Sequence, residues 1–439
     1  MQKSLIPKRM LTFSLASVLA GFSSHAAASA FQLFEENGAG TGDYHAGGAA
    51  EANDASTEFY NPAGLVRIKN QQMVVGGVLI PTDIQYKGSV EVNTVNPGAP
   101  TQVVAQGGTL NVIPNFHYAA PLTDRLVFGF GITVPFGLET DYGDDTFLRY
   151  AGTETQLQTI NISPTLGFAI TDKLSVGAGF DAQYLEGQFD QYAGLFSGFD
   201  TTSTNKGSSW GYGYNLGVLY QFTPHTRVGL SYRSRILQDL TGKSTFSGPL
   251  ANSLSGGTQV SYNLNGKIVL PPTSIASFYH DFNSRWAIMG SAMFTQWKSF
   301  DDLVLNNVAS LNTTTGQADN QQSITVHEDF RNTWNYALGA QYTLSDKWLF
   351  RGGIGYDETP TNDTDRNIQL PDSNRFITAV GAHYQANKSV GVDVGWTHLF
   401  VKNAPINNTQ TVGSEQVITV GNATSAANVF GIQLTWDIV

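Results

Sequence analysis

Along most of the chain after about residue 70, apolar residues hold alternate positions, with small or polar residues between them. Val390, Val392, Val394 and Trp396 alternate with Gly391, Asp393, Gly395 and Thr397; Trp348, Phe350, Ile354 and Tyr356 alternate with Arg351, Gly353, Gly355 and Asp357. The same parity runs through Val228, Leu230 and Tyr232, and through Phe430, Ile432, Leu434, Trp436 and Ile438. Period two is the repeat of a β-strand with one apolar face. Strand pairs are expected to meet at short polar turns: Thr123-Asp124, Thr171-Asp172, residues 223–226, Asn283-Ser284, Ser345-Asp346 and Ala386-Asn387. On the opposite side, residues 87–109, 202–208, 306–322, 359–374 and 402–426, rich in Asn, Asp, Thr and Gly, are expected to be long loops. Six tight turns, with both termini on their side, predict about fourteen strands, an even number that can close into an antiparallel barrel.

Alternation alone also fits a soluble sandwich. Composition turns the reading toward a membrane. Charged residues make up 13% of the chain, against about 25% in an ordinary soluble domain. The mean hydropathy of −0.15 is too polar for a helical membrane protein, and no apolar run reaches the length of a spanning helix. Trp210, Trp286, Trp348, Trp396 and Trp436 fall near strand ends, where half-apolar rings suit a membrane interface. A closed sheet also satisfies its ladder hydrogen bonds inside hydrocarbon. The expected fold is therefore all-β, a transmembrane antiparallel β-barrel of the Gram-negative outer membrane. A net charge of −11 without a basic cluster argues against nucleic acid. The chain has no cysteine, and its histidines, among them His45, His117, His280 and His383, lack metal-ligand spacing, so no metal or cofactor is expected.

Lys3, Lys8 and Arg9 precede an apolar run over residues 10–22 and the small residues Ala26, Ala27 and Ala28, which reads residues 1–28 as a signal peptide. Residues 29–70 show neither strand nor helix period. A lumen ringed by about fourteen strands leaks unless it is filled, so residues 29–70 are expected to form a hatch (plug) inside a barrel of residues 71–439. Within "STEFYNPAGL", residues 56–65, Pro62 restricts Asn61, and Asn61-Pro62-Ala63 forms a fixed turn. That turn fits a hatch contact or an ordinary surface loop. In the third strand Leu126, Phe128, Phe130, Ile132 and Val134 lead into Pro135-Phe136-Gly137, which either kinks the wall or ends the strand.

With "SAFQLFEENGAG", "NPAGL", "HYAAPLTDRLVFGFGI", "WGYGYNLGVLYQF" followed by "LSYRS", and "RNIQLPDSNRF" followed by "VDVGW", the chain resembles the FadL-type (FadL/TodX) outer-membrane transporters of long-chain fatty acids and other hydrophobic compounds. The resemblance implies passive transport without nucleotide or metal. It points to Phe31 as a pocket residue, to Asn61, Pro62 and Ala63 as hatch contacts, and to Pro135, Phe136 and Gly137 as a lateral opening near that turn. The partners it implies are long-chain fatty acids or other hydrophobic molecules, together with outer-membrane lipid and lipopolysaccharide, and the chain is expected to act as a monomer.

Three features depart from the family pattern. Gln191 and Val304 stand where members carry cations, which puts fatty-acid specificity in question; Arg233 or Arg351 could substitute unless Asp181 or Asp357 pairs with them. The outer loops after strands five and seven are short. The chain ends in Trp436-Asp437-Ile438-Val439 in place of a terminal aromatic residue. Asp365, Arg366, Asp372 and Arg375 read as an ion-pair cluster bracing a loop. Gly207-Ser208-Ser209-Trp210-Gly211 matches the hydrolase spelling G-x-S-x-G, but at a loop-to-strand junction. An outer-membrane lipid hydrolase and a polar-solute porin are the alternative functions.

Overall fold

The computed structural model describes residues 30–195, 198–300, 302–412 and 415–438; the signal-peptide reading, Ser29 and Val439 lie outside them. Fourteen strands make the wall: β1 (Gln71–Val92), β2 (Leu110–Pro121), β3 (Leu126–Thr133), β4 (Glu154–Ala169), β5 (Leu174–Ala193), β6 (Thr201–Thr223), β7 (Thr226–Arg233), β8 (Thr273–Asp281), β9 (Trp286–Thr295), β10 (Thr333–Ser345), β11 (Trp348–Asp357), β12 (Arg375–Gln385), β13 (Val390–Val401) and β14 (Glu415–Ile438). Each is antiparallel to the next, and β14 pairs with β1 from Gln71↔Ile438 to Val92↔Val417, which closes the ring. The last described residue of the chain is thus used in closure.

All six tight turns fall at the expected places. Four share one device, in which a side-chain oxygen at the head of the turn accepts the amide that opens the next strand: Thr123 to Leu126 and Thr171 to Leu174 at 3.0 Å, Asn283 to Trp286 at 3.0 Å, Asn387 to Val390 at 3.1 Å. These residue types make such turns locally.

Side-chain parity decides the environment. On β14 Phe430, Ile432, Leu434 and Trp436 are exposed while Gln433 is buried; on β13 Val394 and Trp396 are exposed while Asp393 and Thr397 are buried. A soluble sandwich has the reverse arrangement. Apolar outside and polar inside fits a wall surrounded by hydrocarbon.

Four of the five expected long loops prove to be largely strand. Residues 202–208 belong to β6. Residues 87–109, 306–322 and 402–426 carry Thr101–Gln106, Leu303–Asn312 and Gln317–Val326, and Ala404–Val412, which pair as outer hairpins. Their Thr, Val and Ser residues favour extended backbone, but with no lipid face to bury they lack the greasy parity that marks the wall. A further outer hairpin, Ile236–Ser247 with Thr258–Leu270, stands between β7 and β8. Residues 359–374 are irregular, as expected.

Residues 30–70 lie within the ring and are almost wholly buried. Gly40–Gly42 touches β13, the short helix Gly48–Glu51 touches β8, and Pro62–Arg67 touches β4, β5 and β6. The wall receives this segment on inward-facing glycines. A Cβ at Gly217 would stand 2.0 Å from Asn61 Oδ1, and one at Gly229 1.7 Å from the Ala49 carbonyl oxygen.

Candidate functional site

β3 stops at Thr133, and Val134, Pro135 and Phe136 leave the ladder before Gly137–Asp141 rejoins β4. The pairing of β2 with β3 reaches only Phe116↔Ile132, so residues 110–115 of β2 have no register partner on that side. Proline has no amide to give and interrupts a wall strand for that reason. The N-terminal segment occupies the break. Gln32 bridges Phe136, Leu33 N–H donates to the Pro135 carbonyl at 2.9 Å, and Gly137 N–H donates to that of Phe31 at 2.8 Å. The Val134 amide donates to Glu36 Oε2 and the Phe136 amide to Thr159 Oγ1, each at 3.0 Å. The amides of Val134, Phe136 and Gly137 on the broken strand are thereby satisfied, as burial requires.

Behind the break lies an apolar chamber that its own side chains fill in this structure. The Phe31 ring meets Trp297 edge-on at 4.9 Å and Phe300 at 5.3 Å, and stands 6.0 Å from Phe136; Phe330 stacks on Phe300 at 5.1 Å. Leu157 of β4, Leu185 of β5, and Ile236, Leu240, Ile268 and Leu270 of the hairpin between β7 and β8 complete its walls. Trp297 and Phe300 come from a single turn after β9. With three residues per turn, that conformation brings i and i+3 to one side. Trp297 Nε1 is buried without a hydrogen-bond partner. An unpaired buried donor costs about 1–3 kcal/mol, so an acceptor atom on a bound molecule would be favoured there. Sequence reasoning missed Trp297, although an i, i+3 aromatic pair directly after a strand is a usable signal.

Between the segment and the wall is a cavity of ≈ 40 Å³, bordered by Leu33, Pro62, Pro135, Phe136, Arg233 and Ile236. A site for a small-molecule ligand usually measures about 300–1,000 Å³; occupation therefore requires the N-terminal segment to give way. The Asn61 turn bears on β5, β6 and β7, while the hydrogen bonds to the broken strand come from Phe31, Leu33 and Glu36; Pro62 and Phe136 meet only across this cavity.

Three lumenal arginines are paired with acids. Arg233 pairs with Asp181. Arg351 pairs with Asp393, and Asp357 is taken by Arg375 at 3.4 Å. Arg375 also pairs with Asp372, which accepts the Ala30 amide at 2.9 Å; that part of the acidic and basic cluster anchors the chain beside Phe31. His117 joins Glu58 Oε1 through Nδ1 and the Glu36 carbonyl through Nε2, both at 2.8 Å. Burial pushes the Glu36 carboxyl up to about 8 and raises that of Glu58.

Gln191 lines a separate outer cavity of ≈ 320 Å³ together with Phe246, Leu250, Ile324 and Glu415. Val304 alternates with Leu303 and Leu305, which face the aromatic chamber, and so it stands on the other face of its strand. Ser209 sits inside β6 with its hydroxyl donated to Gln238 at 2.5 Å, not at a strand-to-helix elbow. Among the described residues no group of three potential metal ligands occurs.

The profile of the family described as outer membrane protein transport protein (OMPP1/FadL/TodX) matches residues 19–438. A long-chain fatty acid transport protein of Salmonella typhi is 29% identical over 92% of this chain and 94% of its own length. Among solved structures, a Pseudomonas aeruginosa FadL homologue superposes with a TM-score of 0.80 at 24% identity, covering 93% of this chain and 99% of that one. The Pseudomonas putida toluene transporter TodX gives a TM-score of 0.68 at 18% identity, covering 94% and 100%.

Proposed function

The chain belongs to the outer membrane protein transport protein family (OMPP1/FadL/TodX), and we propose that it carries long-chain fatty acids or other hydrophobic molecules by capture in the Phe31 chamber and lateral release at the break in β3. It is an outer-membrane barrel and not an enzyme. In this reading residues 30–70 are the hatch, Phe31 is a pocket residue, Asn61, Pro62 and Ala63 fix the hatch to the wall, and Pro135, Phe136 and Gly137 frame the opening.

The observation that carries the reading is the bridge between Gln32 and Phe136. One short segment supplies both the ring at the centre of the apolar chamber and the backbone that fills the gap in the wall, so displacing it frees the pocket and the exit together. Energetics fit an apolar path. A chain of about sixteen carbons gains on the order of 12 kcal/mol on leaving water, at about 0.8 kcal/mol per CH₂. A ligand held so strongly moves between apolar sites more readily than through water, and release into lipid forfeits little of that gain. No energy source is needed because the gradient sets the direction.

The test is uptake of a radiolabelled long-chain fatty acid and of a neutral alkane by proteoliposomes of the purified protein, with planar-bilayer conductance measured in parallel. Uptake of at least one compound with little ion conductance supports the reading. Large steady conductance with no hydrophobic uptake would replace it with a porin.

A further inference from the structure

The wall contains a second break, on the far side of the same cavity. β6 and β7 pair as far as Asn215↔Arg233, and β6 pairs again with the hairpin between β7 and β8 only from Thr241↔Ser208 outward. Residues 209–214 lie between these two ladders with no register partner on that side. By contrast, the other edge of β6 is paired to β5 without interruption from Leu174↔Tyr220 to Ala193↔Thr201.

Two adjoining features make the break. Ser234 and Arg235 interrupt the chain between β7 and Ile236, and Pro271 and Pro272 interrupt it between Leu270 and β8. Two consecutive prolines leave two positions without a ladder donor. Both interruptions stand at one level, because the last wall pair is Arg233↔Thr273 and the first hairpin pair is Ile236↔Leu270. The hairpin's other edge is also loosely held: after Thr273↔Thr295 of β8 and β9, the next pairs are Gly266↔Leu305 and Asn265↔Asn306. The hairpin is therefore held to β6 along its outer half, from Thr241 to Ser247, while its base around Ile236 has no ladder pairs to β6.

Across the break, the contacts are those of a shutter. Ile236 covers Gly211 and Gly213, where an added Cβ would stand 2.5 and 2.8 Å from its side-chain carbons. Ser234 N–H donates to the Tyr214 carbonyl and Ser234 Oγ accepts the Tyr214 amide, both at 2.9 Å. The cavity touching Leu33 and Phe136 on the inside is also bordered by Leu216 and Tyr232, of which Leu216 is exposed on the outer face. Trp210, Tyr212 and Tyr214 are exposed along the same stretch, which sets it at the aromatic belt of the membrane interface.

We propose that this seam between β6 and Ile236 is a second lateral port, through which elongated apolar molecules dissolved in the outer leaflet reach the Phe31 chamber directly from lipid. The port rests on the transport reading for its use, but its existence does not. Unpaired backbone is tolerated at membrane depth only where protein shields it, and here the shield is Ile236 over two glycines, with Ser234, Leu237 and Gln238 beside it. Opening the seam at Ile236 breaks the two Ser234–Tyr214 hydrogen bonds and the Ser209–Gln238 one in place of a continuous ladder, so it opens at lower cost than a fully paired edge of the wall.

Two arms test it. In the first, a benzoylphenylalanine replaces Ile236, and separately Leu216, in protein reconstituted into phospholipid vesicles. Irradiation is expected to give a lipid adduct at both. An adduct at Leu216 with none at Ile236 overturns the port. Because the large side chain can disturb the glycine contact, Ile236→Cys treated with a lipid-soluble maleimide gives the same comparison in a chain that has no other cysteine. In the second arm, Ser209→Cys with Gln238→Cys, where the native Gln238 side chain spans the gap, is bridged by a short bis-methanethiosulfonate that locks the seam. A loss of hydrophobic uptake that reductant restores is expected, and uptake unchanged by the lock removes the port from the transport path. If the parent protein takes up no hydrophobic compound, the proposed function fails while the adduct arm still decides the port.

Discussion

Asn61 Nδ2 donates to the Ala49 carbonyl oxygen at 2.6 Å and to that of Val218 at 3.0 Å, tying the lumenal segment to β6 through one amide group. Its Oδ1 accepts the Ala63 amide at 3.0 Å, so the same side chain shapes the turn and fastens it. Asn61→Ala takes the partner from two buried backbone groups, the Ala49 carbonyl and the Ala63 amide, at about 1–3 kcal/mol for each, and removes the tie to Val218, whose carbonyl stays in the ladder with β7. The wall does not depend on these bonds. Normal amounts of folded barrel with reduced hydrophobic uptake are expected, measured as uptake per molecule of surface protein. Parent-rate uptake at equal surface protein would show that the fastening has no part in transport.

The bridge between Gln32 and Phe136 is flanked by the two backbone hydrogen bonds of Leu33 and Gly137. Directly opposed residues of an antiparallel pair have Cα atoms about 4.5–5.5 Å apart, within the range of about 4.4–6.8 Å that a disulfide spans. Gln32→Cys with Phe136→Cys should therefore lock the segment into the break, and no native thiol competes. Uptake is expected to stop on oxidation and return on reduction within the same variant. Transport that continues with the bond demonstrably formed would place the exit elsewhere.

Wall and lumen were legible from the sequence to different degrees. The lipid-facing strands could be read because hydrocarbon selects side chains at every second position, and Val394 and Trp396 satisfy that selection regardless of what lies inside. The outer hairpins could not, because Thr101–Gln106 and Ala404–Val412 bury only a few small or medium apolar residues on one face, Val103 and Ala105, Ala404 and Ile406, and have no hydrocarbon around them to demand large apolar side chains on the other. Phe31 was reached through resemblance. Trp297 was not, since its burial depends on rings from Phe31, Phe136 and Phe330, which are distant in the chain. The second break at Ser234 and Pro271 leaves only short interruptions in an otherwise regular pattern.

Trp297 supplies a test of what the chamber recognises. Trp297→Phe keeps most of the apolar surface and removes the unpaired N–H. A ligand whose carbonyl or carboxylate accepts that hydrogen bond should bind more weakly by about 0.5–1.5 kcal/mol, or roughly two- to tenfold, while an alkane of equal length should bind as before. Equal losses for both ligands would assign Trp297 a packing role alone.

Glu36 gives the seat of the N-terminal segment a pH dependence. Its carboxyl, held chiefly by burial at about 8 instead of 4.5, binds a proton more tightly in place than when the segment is displaced. The seated form is therefore favoured fully below about 4.5, loses that advantage as pH rises, and has lost it above about 8. A spin label on Gln32→Cys should become more mobile between about pH 4.5 and about pH 8, and Glu36→Gln should flatten the profile. Mobility that does not change in the parent over this range would rule out Glu36 as the titrating contact.

The outer cavity bears on head-group preference. Where the family resemblance places a cation, Gln191 stands, and it shares the cavity with the carboxyl of Glu415, which accepts the Gly194 amide at 3.0 Å and the Thr94 hydroxyl at 3.2 Å. Further in, Arg233 borders the inner cavity but is paired with Asp181, and Arg351 is held by Asp393. A carboxylate ligand would have to displace one of these acids or approach Glu415 against like charge. Charge-assisted hydrogen bonds of about 1.5–3 kcal/mol each are thus not on offer without rearrangement, whereas a neutral molecule loses nothing. Purified protein is expected to bind a fatty acid and a neutral analogue of equal length within about tenfold of each other, near 1.4 kcal/mol, in competition assays with detergent controlled. Glu415→Gln should improve binding of the acid and leave the neutral analogue unchanged. A carboxylate preference beyond tenfold in the parent would mean that Arg233 or Arg351 exchanges its acid for the ligand, and charge reversal at each would then identify which.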